Sequence, residues 1–328
     1  MIPTSIDGTD ITGATIDGTD VQEITVDGDV VFSAVSDQDI YYVGGLVSGS
    51  SSDDVFDYSV ADDTINTISA TLPKNIRLSA VISLSGKVYS LGGFDGTGTR
   101  IDDIYEFDPA TENTNTMQST LPTPTRLLDG GVENSKIYIL GGETASGATD
   151  DIIKFDPASD TVTTMSAKLP QGIQRNSCAT VDDKVYSLGG SDGTNTRIDD
   201  IYEFDPGADS ITTMSSTLPT ASTSASAAAT GGKIYYMGGG FNDFGSLSDD
   251  IFEFDPSTDS ISTMSSKLPT AVRFGAAATA DEKIYHFGGA PGDFEIDDIY
   301  EFNPVLDSIT TLSTKIPVDI AQGGVATI

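Results

Sequence analysis

From residue 39 onward the chain sets apolar residues against polar ones in short runs, as in Lys233-Ile234-Tyr235-Tyr236-Met237, Asp250-Ile251-Phe252-Glu253-Phe254 and Ser260-Ile261-Ser262-Thr263-Met264. β-branched and aromatic residues alternating between turn signals predict strands, and no amphipathic helix interrupts them. A glycine doublet closes one run in every copy, at Gly44-Gly45, Gly92-Gly93, Gly141-Gly142, Gly189-Gly190, Gly238-Gly239 and Gly288-Gly289, in steps of 48, 49, 48, 49 and 50 residues. A repeat this regular sets the architecture ahead of any single motif. Each copy reads as four short strands. Asp-Pro ends the third strand at Asp108-Pro109, Asp156-Pro157, Asp205-Pro206 and Asp255-Pro256, with Asn303-Pro304 as a variant and Ser59-Val60 as the departure. Asp and Pro suit the first two positions of a type I turn, and Pro cannot extend a ladder.

This order, with a glycine doublet after the second strand, an aromatic in the third and a Tyr early in the second, resembles the Kelch repeat. The resemblance implies an all-β, six-bladed Kelch-type β-propeller over residues 37–328, preceded by a small N-terminal β segment over residues 1–36. One departure concerns the family's fourth-strand Trp, because the chain contains no Trp. Ile65, Thr114, Val162, Ile211, Ile261 and Ile309 stand in its place, so aliphatic packing between blades is expected. The first doublet also lacks a preceding strand of its own repeat. Its counterpart is at the other end, where Gln322-Gly323-Gly324-Val325-Ala326-Thr327-Ile328 matches Ser224-Ala225-Ser226-Ala227-Ala228-Ala229-Thr230, a stretch assigned to blade four. The C-terminus is therefore expected to close blade one, which protects the sheet edges of the ring.

The first 36 residues repeat differently, with a ten-residue step through Ile6-Asp7-Gly8, Ile16-Asp17-Gly18 and Val26-Asp27-Gly28. Asp-Gly between β-branched residues is a hairpin signal. So short a segment buries too little apolar surface to fold alone and calls for a partner or copies of itself. The string from Ile6 to Phe32, centred on Val21-Gln22-Glu23-Ile24-Thr25-Val26-Asp27-Gly28, resembles leader segments of structural proteins in haloarchaeal tailed viruses. That resemblance implies an assembly role for Ile6, Ile16, Val21, Ile24, Val26, Val31 and Phe32.

Charge narrows the partners. The chain has 50 acidic residues, 40 of them Asp, against 16 basic ones, for a net charge of -34 spread along its whole length. Such a field repels nucleic acid, whose binders supply cations to phosphates. In molar salt the Debye length shrinks to about 3 Å and self-repulsion fades, which points to a halophilic source. The start, Met1-Ile2-Pro3-Thr4-Ser5, shows no signal-peptide pattern, and no apolar stretch is long enough for membrane insertion.

Catalytic material is scarce. His286 is the one histidine and Cys178 the one cysteine, too few for a Ser-His-Asp or Cys-His arrangement, a zinc site, or the two-histidine copper site of Kelch-like radical oxidases. No cofactor or resident metal is expected, although Asp-rich loops such as Asp95-Gly96-Thr97-Gly98 and Asp192-Gly193-Thr194-Asn195 could offer oxygen ligands to calcium or magnesium. Asp doublets recur at 53/54, 102/103, 150/151, 199/200, 249/250 and 297/298. Recurrence at one position in every repeat points to the fold, with one carboxylate of each doublet expected to accept backbone N–H groups at a loop-to-strand junction.

Arginine is the informative cation. Arg77, Arg126, Arg175 and Arg273 follow, by four or five residues, the Pro that ends a fourth strand, with Ser224 and Gln322 in the other two slots. In Kelch proteins such positions lie near the mouth of the central channel. Arg100 and Arg197 belong to the loops after glycine doublets, on the same face. The six would either attract a carboxylated or sulfated sugar or an acidic peptide, or pair with neighbouring aspartates. Phe94, Phe241, Phe244 and Phe294, in the same loops, are candidate contacts. The leading expectation is a non-enzymatic virion protein of a haloarchaeal tailed virus, made in the host cytoplasm and carried in several copies. Its leader would dock on other virion subunits, and its propeller would meet a host-surface glycan or protein. A cellular Kelch interaction scaffold of a halophile is the alternative. An acidic-sugar epimerase-like enzyme is a further one, needing an Arg and a Glu or His at the channel mouth, where Glu143 and Glu295 are the only loop glutamates.

Overall fold

The computed structural model describes residues 38–328 except 195 and 242–245, together with four short strands nearer the N-terminus. The chain divides into two compact units, Met1–Asp37 and Gln38–Ile328. In the first, Ser5–Ile6 pairs antiparallel with Thr9–Asp10, and Glu23–Val26 with Asp29–Ser33. Ile6, Ile24, Val26, Val31 and Phe32 fall on these strands, whereas Ile16 and Val21 lie outside the described residues.

The second unit is a propeller of six antiparallel blades of four main strands, blade three adding the short strand Glu143–Thr144. From the axis outward, blade two runs Ala80–Leu84, Lys87–Leu91, Ile104–Asp108, Asn113–Thr116, and blade three Asp129–Glu133, Lys136–Leu140, Gly147–Asp156, Thr161–Ile173. Blade four runs Ser177–Val181, Lys184–Leu188, Asp200–Asp205, Ser210–Thr217. Blade five runs Ser226–Thr230, Lys233–Met237, Asp250–Asp255, Ser260–Lys267, and blade six Ala276–Ala280, Lys283–Phe287, Ile299–Asn303, Ser308–Thr311. Blade one is built from both ends of the unit: Gly324–Thr327 pairs with Asp39–Val43, followed by Val55–Ser59 and Thr64–Thr67. Asp39 and Ile328 add a reciprocal pair of backbone bonds at 3.1 and 2.9 Å. The closure expected from the C-terminal similarity is present. Ser226–Thr230 pairs with Lys233–Met237 and so belongs to blade five, not blade four.

The glycine doublets are required by backbone geometry. Gly92 and Gly93 adopt φ of +61° and +113°, and a Cβ on Gly92 would sit 2.5 Å from the Thr125 carbonyl oxygen. Freed of side chains, the second glycine of each doublet donates its N–H to the connection entering the next blade, as Gly93 does to Thr125 at 2.8 Å.

Packing between blades departs from the aliphatic expectation. The second-strand Tyr of each blade meets the third-strand aromatic of the next: Tyr41 with Phe107, Tyr89 with Phe155, Tyr138 with Phe204, Tyr186 with Phe254, Tyr235 with Phe302, and Tyr285 with Tyr58 across the closure. Ring centroids lie 5.5 to 5.9 Å apart, in the tilted or edge-on range that aromatic quadrupoles favour. The residues in the missing Trp position are fringe: Ile65, Val162, Ile211, Ile261 and Ile309 are only partly buried against these clusters, and Thr114 donates its hydroxyl to the Thr71 carbonyl.

The Asp doublets also work differently from expectation. Their backbone carbonyls, not their carboxylates, accept at the junction, as when Gly92 N–H donates to Asp103 O and Leu121 N–H to Asp102 O. The carboxylates instead take lysines, with Lys74 on Asp103, Lys168 on Asp150 and Asp151, Lys267 on Asp249 and Asp250, and Lys315 on Asp297 and Asp298. Backbone N–H groups are capped by other aspartates, in the turns between third and outer strands. Asp160, Asp209, Asp259 and Asp307, at φ of 46 to 49°, each reach the preceding blade and accept two successive N–H groups there, at 2.8 to 3.1 Å. These clasps join blades at the outer rim.

Blade one differs electrostatically from the rest. Elsewhere the lysine opening the second strand pairs with an acid on the third, as Lys87 does with Glu106 and Lys233 with Glu253. Here Asp39 and Asp57 occupy those strands, and burial, helped by Asp39 and Glu112, pushes the Asp57 carboxyl up to about 6. A raised carboxyl pKa favours the fold while the group is protonated, and that stability is lost as pH rises through about 6. Because the side chain is only half buried, salt screening limits the loss to about 1 kcal/mol. Asp57→Asn is therefore expected to raise the melting temperature by about 2 °C above neutrality and to leave it unchanged in acid below the ordinary Asp range. An equal rise at both pH values would contradict this origin.

Candidate anion-binding chamber

Each connection from an outer strand to the next blade's inner strand carries two adjacent residues over the axis. The second of each pair, Leu78, Leu127, Arg175, Ser224, Phe274 and Gln322, has a left-handed φ of 54 to 61°. Their backbones form a closed ring of hydrogen bonds. Leu78 N–H donates to Gln322 O, Leu127 to Leu78, Arg175 to Leu127, Ser224 to Arg175, Phe274 to Ser224 and Gln322 to Phe274, at 2.7 to 3.0 Å. This collar corrects the slot assignment above. Arg77, Arg126 and Arg273 occupy the first position of the pair, alongside Gln174, Thr223 and Ala321, whereas Arg175 is a collar residue. Arg175 stands five residues after Pro170, where Arg77, Arg126 and Arg273 stand four after Pro73, Pro122 and Pro269, and the outer strand of blade three runs through Pro170 to Ile173.

The collar stands between two cavities. On one side lies a channel of about 430 Å³ walled by the six inner strands, among them Val81, Asp129, Cys178, Ala228, Ala278 and Val325. On the other, the face that carries the loops after the glycine doublets, lies a chamber of about 410 Å³. Its wall includes Arg126, Arg175, Arg197, Arg273, Ser191 and Thr223, and its floor is formed by Leu78, Leu127, Phe274 and Gln322. Arg77 and Arg126 lie over the Phe94 ring at 5.3 and 4.6 Å, so Phe94 supports two guanidiniums from behind and is not a free contact. Arg100 joins through Glu143, its Nη2 2.5 Å from Oε1 while Arg126 Nε is 2.8 Å from Oε2. All six arginines are thus gathered at one place.

Pairing of each arginine with an aspartate is not what is found. Glu143 serves both Arg100 and Arg126. Burial alone would push its carboxyl up, but hydrogen bonds from the two guanidiniums hold it below the ordinary range. Among the described residues, Arg77, Arg175 and Arg273 have no carboxylate within 4.0 Å. Burial, partly offset by Glu143, and repulsion from Arg126, Arg273 and Arg197 pull the Arg175 guanidinium below its ordinary value. Burial and then Arg126 do the same to Arg77. The site destabilises its own cations, the condition under which an anion binds with most gain.

The remaining candidates divide. Phe294 is 62% exposed in the loop of blade six, and Phe241 is half-buried in blade five. Phe244 lies outside the described residues. Phe274, absent from the sequence reading, lies on the collar beneath Arg273, whose guanidinium carbon is 5.5 Å from the ring; its place directly after that arginine was the available signal. His286 is 1% exposed in blade six, stacked on Tyr300, with burial lowering its pKa to about 4. It does not line the chamber. Cys178 is buried and its thiol pKa raised by burial. Asp95 and Asp192 turn Oδ1 onto their own loops, Asp192 accepting Thr194 N–H at 2.8 Å and Thr196 N–H at 2.9 Å. No group of three acidic, His or Cys side chains is placed to hold a metal among the described residues.

The sequence profile of the Kelch-repeats domain of KLHDC2, KLHL20 and DRC7 matches residues 132–327, more than half the chain. The chain belongs to the Kelch-repeat family. The single Kelch motif also matches residues 77–113, within blade two and its entry. The solved structure of YjhT superposes on this Kelch propeller with a TM-score of 0.71 at 15% sequence identity, covering 85% of this chain and 95% of that one, a likeness of fold. No curated protein sequence matches the chain. Kelch propellers generally serve protein interaction, and no helix among the described residues is long and apolar enough to cross a membrane.

Proposed function

We propose that this Kelch protein is a non-enzymatic attachment protein whose chamber takes an anionic group from a host-surface glycan or protein. The reading rests on one observation: in a chain of net charge -34 with six arginines, four of them, Arg126, Arg175, Arg197 and Arg273, line one chamber, while none of its lysines does. Arginine forks match carboxylates and sulfates bidentately, which lysine cannot do. Exposed Phe294 supplies an apolar rim contact. The acidic surface and the self-similar leader support a virion of a haloarchaeal tailed virus as the setting. There residues 1–36 hold several copies against neighbouring subunits, after synthesis in the host cytoplasm.

The binding half is tested with detergent-free envelope glycans and glycoproteins from a candidate host, captured in molar KCl on immobilised propeller. Arg175→Gln is expected to lower capture about tenfold or more, the loss of one bidentate, largely buried pair. Undiminished capture by the variant would remove the chamber from consideration. The setting is tested by electron microscopy of virions with an antibody to the propeller. Unlabelled particles, with the protein instead in soluble complexes of uninfected cells, would replace the viral reading with the cellular scaffold.

A further inference from the structure

We infer that the chamber's ligand is a hydroxylated polyanion, a saccharide unit bearing two or more acid groups. The inference rests on the chamber being the binding site and concerns what charge it accepts. Four guanidiniums line the chamber, with Arg77 and Arg100 beside them through Phe94 and Glu143, and Glu143 pairs with Arg100 and Arg126. Arg77, Arg175 and Arg273 have no carboxylate partner, and no acceptor in the protein satisfies their buried Nε atoms. Arg175 rises from the collar, whereas Arg273 enters from the connection between blades five and six over Phe274. Arg175 and Arg273 reach the chamber from different connections, and two acid groups on one frame would give each a partner of its own.

The neutral groups of the site indicate the rest of the ligand. Ser191 lines the chamber at 2% exposure, and its hydroxyl has no hydrogen-bond partner. Thr223 and Gln322 also face the chamber. A buried hydroxyl left unpaired is costly, and ligand hydroxyl groups would satisfy it. A volume of about 410 Å³ falls in the range of small-ligand pockets. Recognition has to work by contact, because molar salt cuts the reach of free charges to about 3 Å.

The experiment is calorimetric titration of the full chain in molar KCl with D-glucose, D-glucuronate and D-glucarate, which carry zero, one and two carboxylates on six-carbon hydroxylated frames. Glucarate is expected to bind at least about tenfold tighter than glucuronate, a step of about 1.4 kcal/mol, with glucose silent. Arg273→Gln should weaken glucarate binding more than glucuronate binding and so narrow that gap. Equal affinities for the two acids, or a preference for glucuronate, would overturn the inference and leave the chamber as the binding site. Silence from both acids would remove the binding site itself. Tighter binding by a Gly-Asp-Asp-Gly peptide than by glucarate would overturn the saccharide assignment in favour of an acidic peptide.

Discussion

Removal of Gln322–Ile328 is expected to abolish the cooperative melting of the propeller. The deleted segment includes the inner strand of blade one and one link of the collar. Val325 belongs to the apolar cluster shared with blade six and Ala326 to the one shared with blade two, so two seams lose their innermost contacts together. Asp39–Val43 would then present an unpaired edge, the condition that promotes aggregation. Calorimetry in molar KCl reads the outcome. The informative control is a circular permutant in which residues 321–328 are moved ahead of Gln38, which restores the strand from the other side and is expected to melt like the parent. A truncated chain with an unchanged transition would mean that the ring is held by something other than this strand.

Phe204→Ala is expected to destabilise the propeller by about 3–5 kcal/mol, a large share of the roughly 5–15 kcal/mol that holds a typical domain. Phe204 is fully buried, and its ring meets Tyr138 edge-on with centroids 5.5 Å apart across the seam between blades three and four. Ile211, which sits where the family has Trp, is only partly buried, and Ile211→Ala is expected to cost about 1 kcal/mol, at the low end for a core truncation. Melts of both variants decide between an aromatic and an aliphatic seam. Equal losses would return the packing role to the outer-strand position.

Those contrasts show which parts of the molecule could be read from the chain. Gly92-Gly93 and Asp108-Pro109 express local backbone needs, a left-handed φ and a turn, so their spacing reports blade number and strand order directly. The closing strand was legible because Gln322–Ile328 resembles an existing inner strand. The Tyr138–Phe204 pair was not, since its members are far apart in sequence and become partners only once the ring exists. The outer-strand position that holds Trp in the family packs only the fringe of the seam in this chain. The arginines stand out by their scarcity, and Arg126, Arg175, Arg197 and Arg273 line the chamber. Arg175 stands five residues after its proline and the other three stand four after theirs, and that one-residue difference separates the collar from the position before it. Missing carboxylate partners at Arg77, Arg175 and Arg273 could not be foreseen in a chain with 50 acids.

Sixfold repetition of the blades leads to a single seat. The collar draws one residue pair from every blade to the axis, and only some of those pairs carry arginine, so six sheets contribute to one chamber in place of building six. On the proposed reading each propeller is monovalent. Firm adhesion to a surface must then come from the number of copies that engage together, with linkage between them converting modest single contacts into avidity.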